Sequence, residues 1–483
     1  MDIKKEGSKA ASWSLIDKFL KRGVQFVLSI FLARLLMPGD FGVIAMAAIF
    51  VSWGEVFRDF GLGQALVHRQ DATEVHASTI FYLNIIMACV IAGIFCLIAP
   101  LAADFYDNGM VAWVIRISGL IFIINGFNVV QNSLLIKNLN YKINTVASFI
   151  ASIISGIVGI TFAYWGFGVW SLLIQSVLSA VISTIYIWYK SKWRPKWVFN
   201  FYETKPLLKK GLGFMGQGLV DNVFSYLGTM VIGKMFSPGI LGIYDRGNSL
   251  AEMPNTTFVL PISRPLFPIF AKLQNDIVAL KQYYLKILQI MNWGMILVTG
   301  IFLLCSDEII ICLLGKKWTQ SSEYFFILSL IIPLCSNWSI ITALWKGMGL
   351  VKKVTLITFA EKALFVISIP ALFISLEVYA YCVLVSHIIA NVVKAYMNYS
   401  VTGISIFTQY REWAIEMTIV LCAILLGSLI KIGNVWISLI IKATLFLIYY
   451  LILSRLLRLE GYMSFKVRLA SMLQILTPKK SIR

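Results

Sequence analysis

Apolar residues run in blocks of about 20 along nearly the whole chain, each long enough to cross a hydrocarbon core of about 30 Å as a helix. Polar and charged residues gather in the short stretches between them. The pattern predicts about fourteen transmembrane helices. Six fall in the first half, about 11–36, 41–66, 79–102, 111–135, 144–164 and 168–189. Six follow in the second, about 211–237, 241–271, 284–305, 323–345, 354–376 and 378–400. A last pair, about 413–431 and 435–457, belongs to neither half.

The halves share a motif. Arg34, Pro38, Gly39 and Gly42 recur two hundred residues on as Lys234, Pro238, Gly239 and Gly242, each set closing an apolar run. A constant offset inside a matching hydropathy pattern marks an internal duplication. The expected architecture is an all-α polytopic membrane protein: two pseudo-symmetric six-helix bundles plus a C-terminal helix pair. The expected divisions are an N-terminal bundle at 1–190, a basic amphipathic linker at 191–210 and a C-terminal bundle at 211–400. The extra pair at 413–457 and a basic tail at 458–483 complete the chain.

Composition sharpens this picture. Of the 483 residues 59% are hydrophobic and 13% charged, against about 25% charged in soluble domains. The first residues are polar and no small-residue cleavage site follows the first apolar run, so the first helix is expected to remain as a span. The net charge of +19 does not indicate nucleic acid, because lysine and arginine collect in alternate loops. Lys4, Lys5, Arg69, the 190–210 link, Lys352, Arg411 and the tail share one side. The excess of basic residues places that side, with both termini, in the cytoplasm. The seven cysteines lie in or beside apolar runs and make no Cys-x-x-Cys pair, which argues against a disulfide framework. His68 and His76 are expected in loops and His387 alone in a span, so no metal site is expected. Gly211 to Gly216 fits a dinucleotide glycine pattern but opens a span with no preceding strand, so helix packing explains it better.

Candidate chemistry comes from charges inside spans, which usually face a cavity or a partner. Asp17, Lys18, Lys21 and Arg22 occupy an arc of roughly 140° on the first span, and Glu55, Arg58 and Asp59 share a face of the second. Lys18, Arg58 and Arg264 each lie about eight residues from the cytoplasmic end of their spans, a depth of about 12 Å. Asp221 and Glu361-Lys362 fall near that level. Such a layer suits a polar chamber in which basic groups hold a phosphate or pyrophosphate and acids hold the empty site together or bind a coupling cation. Snorkelling of Lys18, Lys21 and Arg22 to the headgroups is the competing explanation. Pro254, Pro261, Pro265 and Pro268 interrupt the eighth span beside Arg264, which makes it a candidate moving or cavity-lining element.

Three stretches carry a family resemblance: Asp59 to Asp71, Arg264 to Asp276 and Gly315 to Trp318. They resemble Wzx-type polysaccharide flippases, in the colanic-acid exporter-like branch of the multidrug/oligosaccharidyl-lipid/polysaccharide exporter superfamily, over roughly residues 5 to 400. The resemblance implies a V-shaped twelve-helix core. It implies movement of undecaprenyl-pyrophosphate-linked oligosaccharide from the cytoplasmic to the periplasmic leaflet of a bacterial inner membrane, for O-antigen, lipopolysaccharide or exopolysaccharide synthesis. Membrane lipids and other polysaccharide-assembly proteins are the expected partners, and no enzymatic activity is expected. Related lipid II flippases have a cationic cavity built by spans 1, 2 and 8. Position by position, the implied pyrophosphate residues are Arg22, Arg58, Arg264 and Lys18, with Asp17, Glu55 and Asp59 as a departure from a purely cationic cavity. Sodium or protons drive some relatives through carboxylates in spans 7 and 11, to which Asp221 and Glu361 correspond; no other cofactor is implied. Two other classes stay open. A cation-coupled multidrug antiporter would tolerate loss of the basic residues, whereas a glycan polymerase or glycosyltransferase would need larger outer loops than 306–322 offers.

Overall fold

The computed structural model describes residues 22–59, 62–68, 73–138, 140–202, 223–430 and 432–467. All regular structure among them is helical. Nine stretches there are long and apolar enough to cross a membrane, which makes this a multi-pass membrane protein. Each of the nine corresponds to one of the fourteen spans expected from the sequence.

The chain divides into two compact units, one ending at Asp245 and one starting at Arg246. The first contains α1 (residues 22–35), α2 (Pro38–Asp59), α3 (Leu62–His68), α4 (Glu74–Tyr106), α5 (Gly109–Gly126), α6 (Val129–Lys137), α7 (Tyr141–Tyr164), α8 (Val169–Lys190), α9 (Val223–Met235) and the start of α10 (Pro238–Pro254). In α4 the Thr73 side chain accepts from the His76 backbone N–H, and His76 Nδ1 accepts in return from the Thr73 N–H. This reciprocal cap satisfies two N–H groups that the helix start leaves orphaned. His76, expected in a loop, is therefore a capping residue, and His68 ends α3.

The span expected at 111–135 is two helices, broken at Phe127 and Asn128. The break is held by α8: Asn128 Nδ2 donates to Thr184 Oγ1 at 2.5 Å, and Trp188 Nε1 donates to the Phe127 carbonyl at 3.1 Å. Backbone polar groups freed inside a membrane protein need such partners.

The turns that repeat in the sequence meet in space. Pro38 and Pro238 each open a helix, α2 and α10, where a missing N–H costs nothing. A Cβ on Gly42 would stand 1.7 Å from the Pro238 carbonyl oxygen, and one on Gly242 would stand 1.9 Å from that of Pro38. The two helix starts thus cross reciprocally, each glycine admitting the other turn's backbone, as small residues do at close helix crossings. Beside the crossing, Lys234 Nζ donates to Asp107 Oδ2 at 3.0 Å. The basic residue of the second repeated turn therefore has a protein partner.

The start of the 191–210 linker is docked on α4 and α8. Its Lys196 and Asn200 N–H groups donate to Ser78 Oγ and Thr79 Oγ1 in the first turns of α4, both at 3.0 Å. Lys196 pairs with Glu74, Trp193 packs edge-on against Phe81 and Trp197 stacks on Tyr82. Arg194 donates to the Trp188 and Ser191 carbonyls at 2.7 and 2.6 Å, tying the linker to the end of α8.

The second unit continues α10 through a π-helical turn, Asn255–Val259, into α11 (Leu260–Ser263) and α12 (Leu266–Leu273). Then come α13 (Ile277–Leu304), α14 (Ser306–Leu313), α15 (Ser321–Ser329), α16 (Ile332–Gly347), α17 (Val351–Ser368), α18 (Leu376–Thr402), α19 (Ile406–Gly427), α20 (Val435–Leu456) and α21 (residues 460–467). Capping residues set several starts: the Asp276 carboxylate accepts from the Val278 and Ala279 N–H groups, and Asn434 caps α20. Around α13 lie two apolar cores. One packs Phe270, Tyr284, Leu344 and Trp345; the other packs Trp293, Ile296, Val420, Phe446 and Tyr450.

On the short helix α14, Glu308 Oε1 accepts from Lys442 Nζ at 2.6 Å and from Ser438 Oγ at 2.8 Å. Burial works to raise the Glu308 carboxyl. The hydrogen bonds from Lys442, Ser438 and its own backbone, with the lysine charge, outweigh burial and leave it below the usual carboxylate value. A depressed folded value gives stability that is complete above the unfolded value of about 4.3 and is lost as pH falls through the folded one. Glu308→Gln should therefore lower the melting temperature at neutral pH. The gap from the wild type should narrow as pH drops below about 4, which thermal unfolding in detergent will read.

Candidate functional site: charged groups within the helices

The expected charged layer is only partly within the described residues. Asp17, Lys18 and Asp221 lie outside them. Arg22 opens α1 and is exposed. Glu55 is exposed on α2; Arg58 and Asp59 close that helix, and their side chains lie outside the described residues. In the second unit Arg264 is exposed at the joint between α11 and α12.

The joint owes its form to the four prolines. Pro254 ends α10, and the π-helical turn follows at once. Pro261 lies in the first turn of α11, Pro265 caps α12 and Pro268 falls within it. Each proline removes a backbone donor, so a continuous ladder cannot form across this stretch. Extra residues in a helical turn, as in this π-segment, recur at functional sites. Arg264 follows the last residue of α11 and its N–H reaches the Leu260 carbonyl at 3.4 Å. The sequence thus places a guanidinium on a segmented helix.

Glu361, on α17, has a partner that sequence reasoning missed. Its Oε1 accepts from Lys394 Nζ on α18 at 2.8 Å. The Lys394 side chain is wholly buried, that of Glu361 13% exposed. The ammonium also lies 3.9 Å from the ring centroid of Trp338 on α16, a cation–π arrangement that is strongest when desolvated. Three helices thus share one ion pair. Lys394 stood alone in the apolar run 378–400; its depth there was the available signal, and its partner 33 residues upstream was not visible from local spacing. Below it, Tyr284, Trp345, Asn398 and Gln409 form a buried network: Asn398 Nδ2 donates to Tyr284 Oη and Gln409 Oε1, and Trp345 Nε1 donates to Asn398 Oδ1. Their mutual bonds leave this network a structural tie among α13, α16, α18 and α19.

Among the described residues these charged groups and the proline-segmented joint sit within or beside the helices of a multi-pass membrane protein. A family model described as polysaccharide biosynthesis protein matches residues 31–323, and the chain belongs to that family. Among its relatives is the succinoglycan biosynthesis transport protein ExoT of Rhizobium meliloti, 26% identical over 71% of this chain and 69% of that protein. The lipopolysaccharide biosynthesis protein WzxC of Escherichia coli is 24% identical over 66% of this chain and 65% of its own. The teichuronic acid biosynthesis protein TuaB of Bacillus subtilis is 23% identical over 68% of each. The chain therefore spans about two thirds of the length of these relatives. In structure it resembles the lipid II flippase MurJ in an inward closed conformation, with a TM-score of 0.72 over 92% of this chain and 99% of that one at 14% identity. A multidrug resistance MATE family transporter in an inward-facing conformation matches at 0.56 over 82% of this chain and 99% of that one, also at 14% identity. These likenesses give the fold.

Proposed function

We propose that the protein is a flippase that moves undecaprenyl-pyrophosphate-linked oligosaccharide units from the cytoplasmic to the periplasmic leaflet by alternating access. The observation that carries the reading is the family match over residues 31–323, and a fold nearer to a lipid II flippase than to the multidrug transporter supports it. The protein lies in the bacterial inner membrane with both termini cytoplasmic, as the basic loops imply. It is built as two six-helix halves with the extra pair α19 and α20. Arg22, Arg58, Arg264 and Lys18 engage the diphosphate, with Asp17, Glu55 and Asp59 balancing the empty chamber. The lipid tail stays in the bilayer. Arginine suits this role because its planar fork bonds two phosphate oxygens at once and stays charged at any accessible pH. The segmented α10–α12 helix is the element whose bending lets the chamber change its accessible side, and Asp221 with Glu361 is the candidate route for a coupling sodium ion or proton. Glu361 takes part by exchanging Lys394 for the ion, since one carboxylate oxygen is already engaged.

The test replaces Arg58 and Arg264 together by alanine. Loss of the two charge-assisted anchors, each worth about 1.5–3 kcal/mol, should slow flipping of a tagged polyprenyl-diphosphate glycan by at least about a hundredfold, while protein yield and melting temperature stay near the wild type. Undiminished flipping in the double variant removes the assigned site.

A further inference from the structure

We propose that Glu416, inside the accessory helix pair, is a proton-binding site whose carboxyl is protonated at neutral pH. The buried residues of α19 run Gln409, Glu412, Glu416, Ile419, Val420, Ala423 and Gly427. Steps of three and four place them along one stripe of the helix. Two carboxyl groups therefore point where an apolar stripe would ordinarily bury hydrocarbon, against the core of Trp293, Ile296, Phe446 and Tyr450.

Among the described residues no hydrogen bond or cation holds a negative charge on Glu416. Its residue is 0% exposed, and neither carboxylate oxygen has a hydrogen-bond partner. Two donors of this core are engaged elsewhere. Tyr450 Oη donates to the Trp293 carbonyl at 3.1 Å, and Trp293 Nε1 donates to Ser454 Oγ at 3.1 Å. Glu412, one turn away, is already satisfied: its two oxygens accept from the Glu460 and Gly461 N–H groups at 3.0 and 3.4 Å.

Among the described residues the titratable neighbours on α19 are Glu412, Arg411 and Tyr410. Arg411 is exposed, and Tyr410 turns to Asn391 on α18. From α20 come Tyr449 and Tyr450, and from α21 Glu460 and Tyr462. The α13 side offers Trp293 and Ile296, α15 offers Phe326 and the residue capping its end is Leu330, none of which titrates. Among the described residues Glu416 thus has a second carboxylate beside it and no cation. A bare carboxylate in hydrocarbon-like surroundings takes up a proton rather than remain charged, and an ionisable group retained at such a place in a membrane protein marks a proton or ion path. The inference is independent of which substrate the protein carries.

Infrared spectroscopy of the full-length protein in lipid at neutral pH tests it without any transport assay. The wild type should show the carbonyl stretch of a protonated carboxylic acid, and glutamate carrying a ¹³C carboxyl should shift that band. Glu416→Gln, which keeps the shape of the neutral acid, should lose the band; Glu412→Gln should retain it. The labelled wild type lacking such a band, or Glu416→Gln leaving it unchanged, overturns the proposal, and the labelling arm needs no variant to fold. Sodium chloride raising the melting temperature of the wild type above its value in choline chloride, with no effect on Glu416→Gln, would also overturn it by showing a metal cation in place of the proton.

Discussion

Gly42→Ala should destabilise the protein by about 3 kcal/mol or more, at or beyond the upper end of overpacking costs. The added methyl would lie 1.7 Å from the Pro238 carbonyl oxygen. That obstacle is backbone at the first turn of α10, so no side-chain rotation relieves it. The two helix starts must move apart, and the close contact between the repeated turns is lost with them. Gly242→Ala meets the Pro38 oxygen at 1.9 Å and the Gly42 nitrogen at 3.0 Å, so the same loss is expected there. Gly93→Ala in α4, with nothing within 4 Å of its added atom, is the control and should cost less than about 0.5 kcal/mol. Melting temperature and membrane yield of the three variants, measured side by side, check the prediction; equal behaviour would refute the crossing.

The second large effect concerns Lys394 and Glu361. Glu361→Gln leaves a wholly buried ammonium facing only the Trp338 ring and an amide, and should cost about 3–5 kcal/mol, the usual result of breaking a buried pair. Lys394→Met should cost less, because the Glu361 side chain is 13% exposed and its charge can turn toward solvent. The double variant should be more stable than Glu361→Gln alone, since replacing both charges removes the desolvation cost with the attraction. A double-mutant cycle on thermal or denaturant unfolding measures the coupling. Additive losses would mean that the two groups do not share one charge balance.

Most of the helical layout was legible because a bilayer imposes a length on each apolar run. The runs predicted at 79–102, 144–164, 168–189 and 435–457 appear as α4, α7, α8 and α20. Their ends are set by local chemistry that hydropathy does not register: Thr73 and His76 start α4 five residues early, and Asn434 fixes α20. Breaks were less legible. Nothing in the apolar run 111–135 announced that Thr184 and Trp188, some sixty residues on, would hold Phe127 and Asn128 outside a helix. The prolines of α10 to α12 announced themselves, because proline acts on its own backbone. Charges divided in the same way. The repeated Pro-Gly turns could be matched by offset, yet their reciprocal contact is a tertiary fact. Lys394 found its meaning only through Glu361 and Trp338 on other helices. Glu412 and Glu416 were hidden by a helix start read near 413, which put Glu412 outside the span; α19 begins at Ile406 and aligns both with the buried stripe.

The central claim is that the protein carries a diphosphate-linked glycan across the bilayer, and leaflet location of that lipid tests it most directly. Purified protein is placed in vesicles with a tagged polyprenyl-diphosphate oligosaccharide, and an impermeant reagent reads how much tag is accessible outside. The account predicts that wild-type protein equilibrates the tag between leaflets, that protein-free vesicles do not, and that the Arg58→Ala, Arg264→Ala variant falls toward the protein-free rate. Wild-type vesicles in which the tag stays in its starting leaflet while an organic cation is expelled would contradict it and assign the fold to drug efflux.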